Sequence, residues 1–232
     1  MEGTRAVRTG RPRGGEETAR LLAFSDGVFA LAATLLVVTL TVPESYGDLR
    51  EAVAGFPAFA LAFAAIVSLW YSHRQFFCRY PMGDGWTVAV NGVLLFIVVL
   101  YVYPLKLMAQ VFAERFLGVG AGTEQQLSRS EVQGLLLVFG AAVLATAAVL
   151  LVLHARAWQR RADLALDTEA VFQLRTDALA LTAIGVVAVV SMTAAAAGVG
   201  LGWGLPVWLY LATPIVGLVQ HRVVARRPRR AA

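Results

Sequence analysis

Along most of its length the chain repeats nearly uncharged runs as long as a bilayer is thick, and Val132–Leu153 is the most uniformly apolar of them. A hydrocarbon core takes about 20 helical residues to cross. Inside it every backbone N–H and C=O must be satisfied within the chain, so runs of this kind fold as helices. Six can be read: Leu22–Val42, Ala52–Tyr71, Thr87–Leu107, Val132–Leu153, Ala178–Ala197 and Trp203–Val219. Pro206 and Pro214 predict a kink in the last. With 58% apolar and 15% charged residues, the composition excludes a soluble globular domain. The expected fold class is all-α, a polytopic membrane protein with six transmembrane helices.

The basic residues orient it. Arg5, Arg8, Arg11, Arg13 and Arg20 lie on one side with Arg74, Arg79, Arg156, Arg160, Arg161 and Arg175, and with Arg222, Arg226, Arg227, Arg229 and Arg230. The other side holds only Arg50, Lys106, Arg115 and Arg129. The positive-inside bias predicts two cytoplasmic termini, which an even number of spans requires. The expected organisation is a disordered basic cytoplasmic tail over residues 1–19, a membrane domain over 20–220 and a basic cytoplasmic tail over 221–232. No apolar h-region precedes Leu21, so a cleavable signal peptide is not expected. The tail arginines suit anionic membrane lipids, and no folded module accompanies them that would bind nucleic acid. Cys78 is the single cysteine, which leaves no intrachain disulfide framework and points to no metal cluster. The segments Ser45–Glu51 and Met108–Glu131 read as external loops, and Ala155–Asp177 as internal extensions of the helices on either side.

The first run is chemically unusual. Arg20 and the pair Ser25-Asp26 stand at its cytoplasmic mouth, where charge must be paired, hydrated or neutralised. Arg20 and Asp26 are six residues apart, roughly 240° around a helix, so each needs a partner elsewhere. His73, Arg74, Arg79, Asp84, Asn91 and Arg175 are the candidates on that side. A cluster of Ser25, Asp26, His73 and Asn91 would tie three helices together. Further along, Gly27, Leu31, Thr34, Val38 and Thr41 recur at a 4-3-4-3 spacing and form one stripe. Its threonines can bond back to their own helix and face other helices. Alternatively they are way-stations in a watery path that Leu31 and Val38 constrict.

Arg20 with Phe24-Ser25-Asp26, running into Gly27 through Val37, resembles the signature of the transmembrane protein 175 family, the lysosomal potassium channel of animals and its prokaryotic relatives. Trp70-Tyr71-Ser72-His73 is similar to that family's Trp-x-x-His, and Asn91 followed by Pro104 to its third-helix pattern. The resemblance covers the first three spans well, and the last three in number, length and polarity. It implies one six-helix unit per chain, a homotetramer in the cell membrane, and a pore lined by helix 1 that passes monovalent cations. Leu31, Thr34 and Val38 match the constriction, with Val38 smaller than the leucine often found in the last layer. Arg20, Phe24, Ser25, Asp26, Trp70, His73 and Asn91 match the packing and hydrogen-bond network. The implied activity is passive potassium conduction with modest preference over sodium, needing no cofactor beyond the permeant potassium ions.

Two other functions are open to these residues. A proton-conducting channel, or a proton-coupled secondary transporter, would use Asp26 and His73 as its relay. Transporter sites, however, usually lie near mid-membrane on broken helices. An intramembrane enzyme would need a nucleophile facing a base, or a metal-ligand set. His73, His154 and His221 are spread over different helix ends, and an enzyme is not expected.

Overall fold

The computed structural model describes residues 13–38, 44–120 and 127–199. They form helices α1 (Arg13–Val38), α2 (Tyr46–Ala54), α3 (Phe56–Arg79), α4 (Gly85–Phe112), α5 (Arg129–Gln159) and α6 (Thr168–Ala196), with a π-helical turn over Ala113–Leu117. Five helices among the described residues are long and apolar enough to cross a membrane: α1, α3, α4 with its π-turn, α5 and α6. The expected sixth span, Trp203–Val219, lies outside the described residues, as do residues 1–12 and the basic C-terminal segment.

Several boundaries differ from expectation. Helix α1 starts at Arg13, so residues 13–19 are helical although the sequence suggests a disordered tail. The cause is a tertiary contact. Thr18 is buried, and Gly83 in the α3–α4 turn lies so close that a Cβ there would stand 2.6 Å from the Glu17 Cβ. Ser45–Glu51 is not a plain loop, because Tyr46–Ala54 forms a short helix. Asp48 accepts from the Glu44 and Ser45 amides at its start, and the Ser45 hydroxyl accepts from the Asp48 amide. At the far end of α4 the helix runs past Leu107 to Phe112. Gly118, at φ 65°, then ends the π-turn in a left-handed conformation that glycine adopts without strain.

Helices α1, α3 and α4 pack on one another, α4 also packs on α5, and α5 on α6. Lipid tails are as apolar as leucine, so close packing rather than water exclusion holds such helices together, and small residues gather where they meet. Ala32 of α1 and Ala62 of α3 are fully buried in the core around Phe29, Leu36 and Ile66, and Gly185 of α6 lets Leu144 of α5 approach. A second core near the inner helix ends collects Leu21, Phe76, Phe77, Tyr80, Leu153 and Leu174. Two helix starts carry side-chain caps. Ser128 and Glu131 form a reciprocal capping box on α5, and Asp167 caps α6. At the opposite end of α6, Gln133 donates to the carbonyls of Ala195 and Ala196, and Arg129 to that of Gly198.

Candidate functional site

Helix α1 has two faces. Thr18, Leu21, Ser25, Phe29, Ala32 and Leu36 turn inward, at the three-and-four spacing of a buried stripe. Phe24, Gly27, Leu31, Thr34 and Val37 turn away from the rest of the chain, with Leu31 53% exposed. Val38 ends the helix, and its side chain lies outside what is described. The Thr34 hydroxyl donates to the Ala30 carbonyl at 2.9 Å. With its proton committed inward, that oxygen presents only lone pairs to whatever lies beside the helix, and a cation needs nothing more from it.

A buried polar chain anchors the inward face. The Ser25 hydroxyl donates to the Leu21 carbonyl at 2.8 Å. Its oxygen accepts from Asn91 Nδ2 at 3.0 Å. That orientation aims Asn91 Oδ1 at His73 Nε2, 2.7 Å away, so Nε2 carries the ring proton and donates it. The bonds run one way, from α3 through α4 to α1, and end on a backbone carbonyl. Phe29 and Phe77 flank the imidazole with ring centroids 5.4 and 4.9 Å away. His73 Nδ1 is buried with no hydrogen-bond partner among the described residues.

Asp26 stands apart from this chain. Its carboxylate accepts from Trp70 Nε1 at 2.7 Å, a second tie between α1 and α3. The expected cluster of Ser25, Asp26, His73 and Asn91 is therefore two separate contacts, because successive residues on α1 point about 100° apart. Arg20 joins neither. It pairs with Glu16 one turn earlier on its own helix, at 3.0 Å, and both side chains are largely exposed. Its partner lies in the stretch expected to be disordered, which is why the search for one on other helices looks in the wrong place. Phe24 is 67% exposed and packs on neither contact.

A further junction forms around Asp84, where α3, α4 and α5 meet near their ends. Asp84, the residue before α4, accepts from Thr87 at 2.7 Å, Arg156 at 3.2 Å and Arg160 at 3.0 Å. Burial works against its charge, but the hydrogen bonds from Thr87 and Arg156 and the two guanidinium charges prevail, and its pKa is lowered. Arg156 also lies over the Trp86 ring. Nearby, Arg79 meets Asp177 at 3.6 Å. Tyr80 donates to the Ala170 carbonyl at 3.0 Å, and burial raises its pKa to about 12. Arg79 and Asp177 also line a groove of about 780 Å³ between α3 and α6, together with Tyr101, Phe139 and Leu150. The signal was available in an aspartate before a helix start and a run of arginines at a helix end. Among the described residues no group of histidine, cysteine and carboxylate side chains is placed to hold a metal.

An all-helical chain with five membrane-length helices, tied at one end by buried polar bonds, is a multi-pass membrane protein. Residues 20–101 match the family model for the endosomal/lysosomal potassium channel TMEM175. A potassium channel of Marivirga tractuosa is 34% identical over 172 residues, 72% of this chain and 70% of that protein. One from Chamaesiphon minutus is 37% identical over 102 residues, 40% of this chain and half of that one. Among solved structures, the potassium channel MtTMEM175, crystallised as a variant with a nanobody fusion, superposes with a TM-score of 0.74 at 26% identity, covering 98% of this chain and 99% of that one. A lysosomal potassium-selective channel TMEM175 homologue from Chamaesiphon minutus gives 0.52 at 26% identity, over 85% of this chain and 98% of that one. The chain belongs to the TMEM175 family. The matched family and these relatives are ion channels, not enzymes.

Proposed function

We propose that this chain is the subunit of a passive potassium-conducting channel, a homotetramer in which four copies of α1 meet on the axis. The observation that carries the reading is the outward face of α1. It is a stripe along a membrane-length helix with no packing partner among the described residues, combining a glycine, a branched apolar side chain and a hydroxyl oxygen whose proton is committed inward. Copies of the same stripe, facing one another, would cover it.

In that arrangement Leu31, with Val38 beyond it, narrows the path and controls wetting. Thr34 offers oxygen lone pairs that offset part of the lost hydration. Without a ring of backbone carbonyls, preference for potassium over sodium is modest. Glu44 and Asp48, exposed beyond the end of α1, raise the local cation concentration at the outer mouth. Both termini face the cytoplasm, and the assembly sits in the cell membrane. The proton-relay alternative has less support, because Asp26 and His73 bond to different partners and the chain from His73 ends on a backbone carbonyl.

The test is purified protein in liposomes, with potassium, sodium and proton flux compared under imposed gradients. Potassium flux exceeding sodium flux and needing no proton gradient is expected, and Leu31→Ala should raise conductance and weaken ion preference. Absence of cation flux would sink the function. An unchanged Leu31→Ala phenotype would remove α1 from the pore.

A further inference from the structure

Two arginines converge on one indole where α5 ends and α6 begins. The Arg161 and Arg175 guanidinium carbons lie 4.7 and 4.6 Å from the centre of the Trp158 ring. Arg161 spends one donor on the Trp158 carbonyl at 2.9 Å. Neither has a carboxylate within salt-bridge distance among the described residues, and both are exposed. The acids around them are committed elsewhere: Asp84 to Arg156 and Arg160, Asp163 to Arg160, Asp177 to Arg79, Asp167 to the start of α6 and Glu169 to Gln173.

Like charges held this close call for a counter-anion. Each guanidinium carbon lies within cation–π range of the ring, and the N–H groups of the two exposed side chains can meet acceptor oxygens. Depth narrows the choice of anion. Arg175 lies seven residues into α6, about 10 Å along the helix from its start. Tryptophan is the residue that favours the boundary between headgroups and hydrocarbon. An anion held here, beside the ends of two membrane-length helices, meets the lipid headgroup layer.

We propose that Trp158, Arg161 and Arg175 form a binding site for the phosphodiester headgroup of an anionic phospholipid. Under the orientation given above, which this inference adopts, the lipid belongs to the cytoplasmic leaflet. Arg175 supplies the larger share of the donors, since one of those on Arg161 is occupied. Trp158 holds both arginines in place and packs its inner edge on the core around Leu153 and Leu174.

The test measures lipid rather than ion flux, so it is independent of conduction. Full-length protein in mild detergent is mixed with phosphatidylglycerol or phosphatidylcholine, and bound lipid is counted by native mass spectrometry. The wild type should retain phosphatidylglycerol preferentially, with millimolar inorganic phosphate unable to displace it. The double variant Arg161→Gln/Arg175→Gln should lose about tenfold in retention, the scale of one charge-assisted hydrogen bond. Arg161→Lys/Arg175→Lys keeps the charge but loses the planar fork, and should fall most of the way too. Arg74→Gln removes an exposed arginine that also lies over a tryptophan, Trp70, and should change nothing. Equal retention by the glutamine variant, full retention by the lysine variant, or an equal loss in Arg74→Gln would each overturn the site. Displacement by free phosphate would reassign it to a soluble anion. All substituted positions are exposed, and an unchanged size-exclusion profile establishes that each variant is folded.

Discussion

Replacing Asn91 with leucine should cost more than the bonds it removes. Asn91 is 2% exposed and bridges His73 to Ser25, so Asn91→Leu deletes two hydrogen bonds while keeping the same number and branching of side-chain heavy atoms. Inside membrane proteins such bonds average about 0.6 kcal/mol and reach about 1.7 kcal/mol. The second cost is larger. The His73 Nε2 proton is left buried between Phe29 and Phe77 with no acceptor, a penalty of about 1–3 kcal/mol. Together these predict a loss of about 2–4 kcal/mol. Ser25→Ala should cost about 1–3 kcal/mol: the Leu21 carbonyl it releases still accepts within the helix, but buried Asn91 Nδ2 loses its acceptor. The sign test is a double variant. His73→Phe added to Asn91→Leu removes the orphaned donor and should recover part of the loss, giving a coupling energy no additive scheme produces. Thermal unfolding of the purified protein in detergent, followed by circular dichroism, reads all five forms: the wild type, Ser25→Ala, Asn91→Leu, His73→Phe and the double variant. If adding His73→Phe makes Asn91→Leu worse still, the one-way bond chain is wrong.

Other outcomes follow from the same geometry. Thr34→Val, on an exposed face, should leave stability within about 0.5 kcal/mol while lowering the potassium-to-sodium flux ratio in liposomes. Gly83→Ala would drive a methyl into Glu17 and should destabilise by about 1–3 kcal/mol, seen as easier proteolysis near Arg13–Arg20. The lowered pKa of Asp84 means its contribution is intact above the ordinary aspartate value of about 3.9 and is lost as pH falls through the lowered value; melting curves on the acid side should show that loss in the wild type, and Asp84→Asn should flatten it. For Tyr80 the sign reverses: its contribution holds below about pH 10 and fades as pH rises toward 12, and ultraviolet titration of the wild type against Tyr80→Phe should isolate one late-ionising phenol.

What could be read from the chain was what membrane chemistry forces. Apolar length placed the cores of α1, α3, α4, α5 and α6 to within a few turns, and the polar residues at span ends pointed to Ser25, His73 and Asn91. The errors lie where a tertiary contact decides. Nothing local in residues 13–19 reports that Gly83 will pack against them, so the helical start of α1 was hidden, and with it the Glu16 partner of Arg20. The i, i+4 spacing of that pair was the one available clue. Asp26 and Ser25 are neighbours in sequence, and only the helical rotation between them shows that they serve different partners. The inner junction of Asp84 with Arg156 and Arg160 joins residues more than seventy positions apart, a pairing that no single segment encodes.

The separation of α1 into an inward face and an outward one has a consequence for how such a subunit can change over time. Ser25, Phe29, Ala32 and Leu36 are each answered by a residue on another helix, so altering any of them requires a matching change elsewhere. Among the described residues Leu31 and Thr34 are exposed, with only the bond from Thr34 to Ala30 tying them to their own helix. In the proposed assembly, substitutions there are judged by neighbouring copies and passing ions, while the fold of the subunit stays as it was. Ion preference can therefore drift, or be engineered, one position at a time on a scaffold that does not have to be refitted.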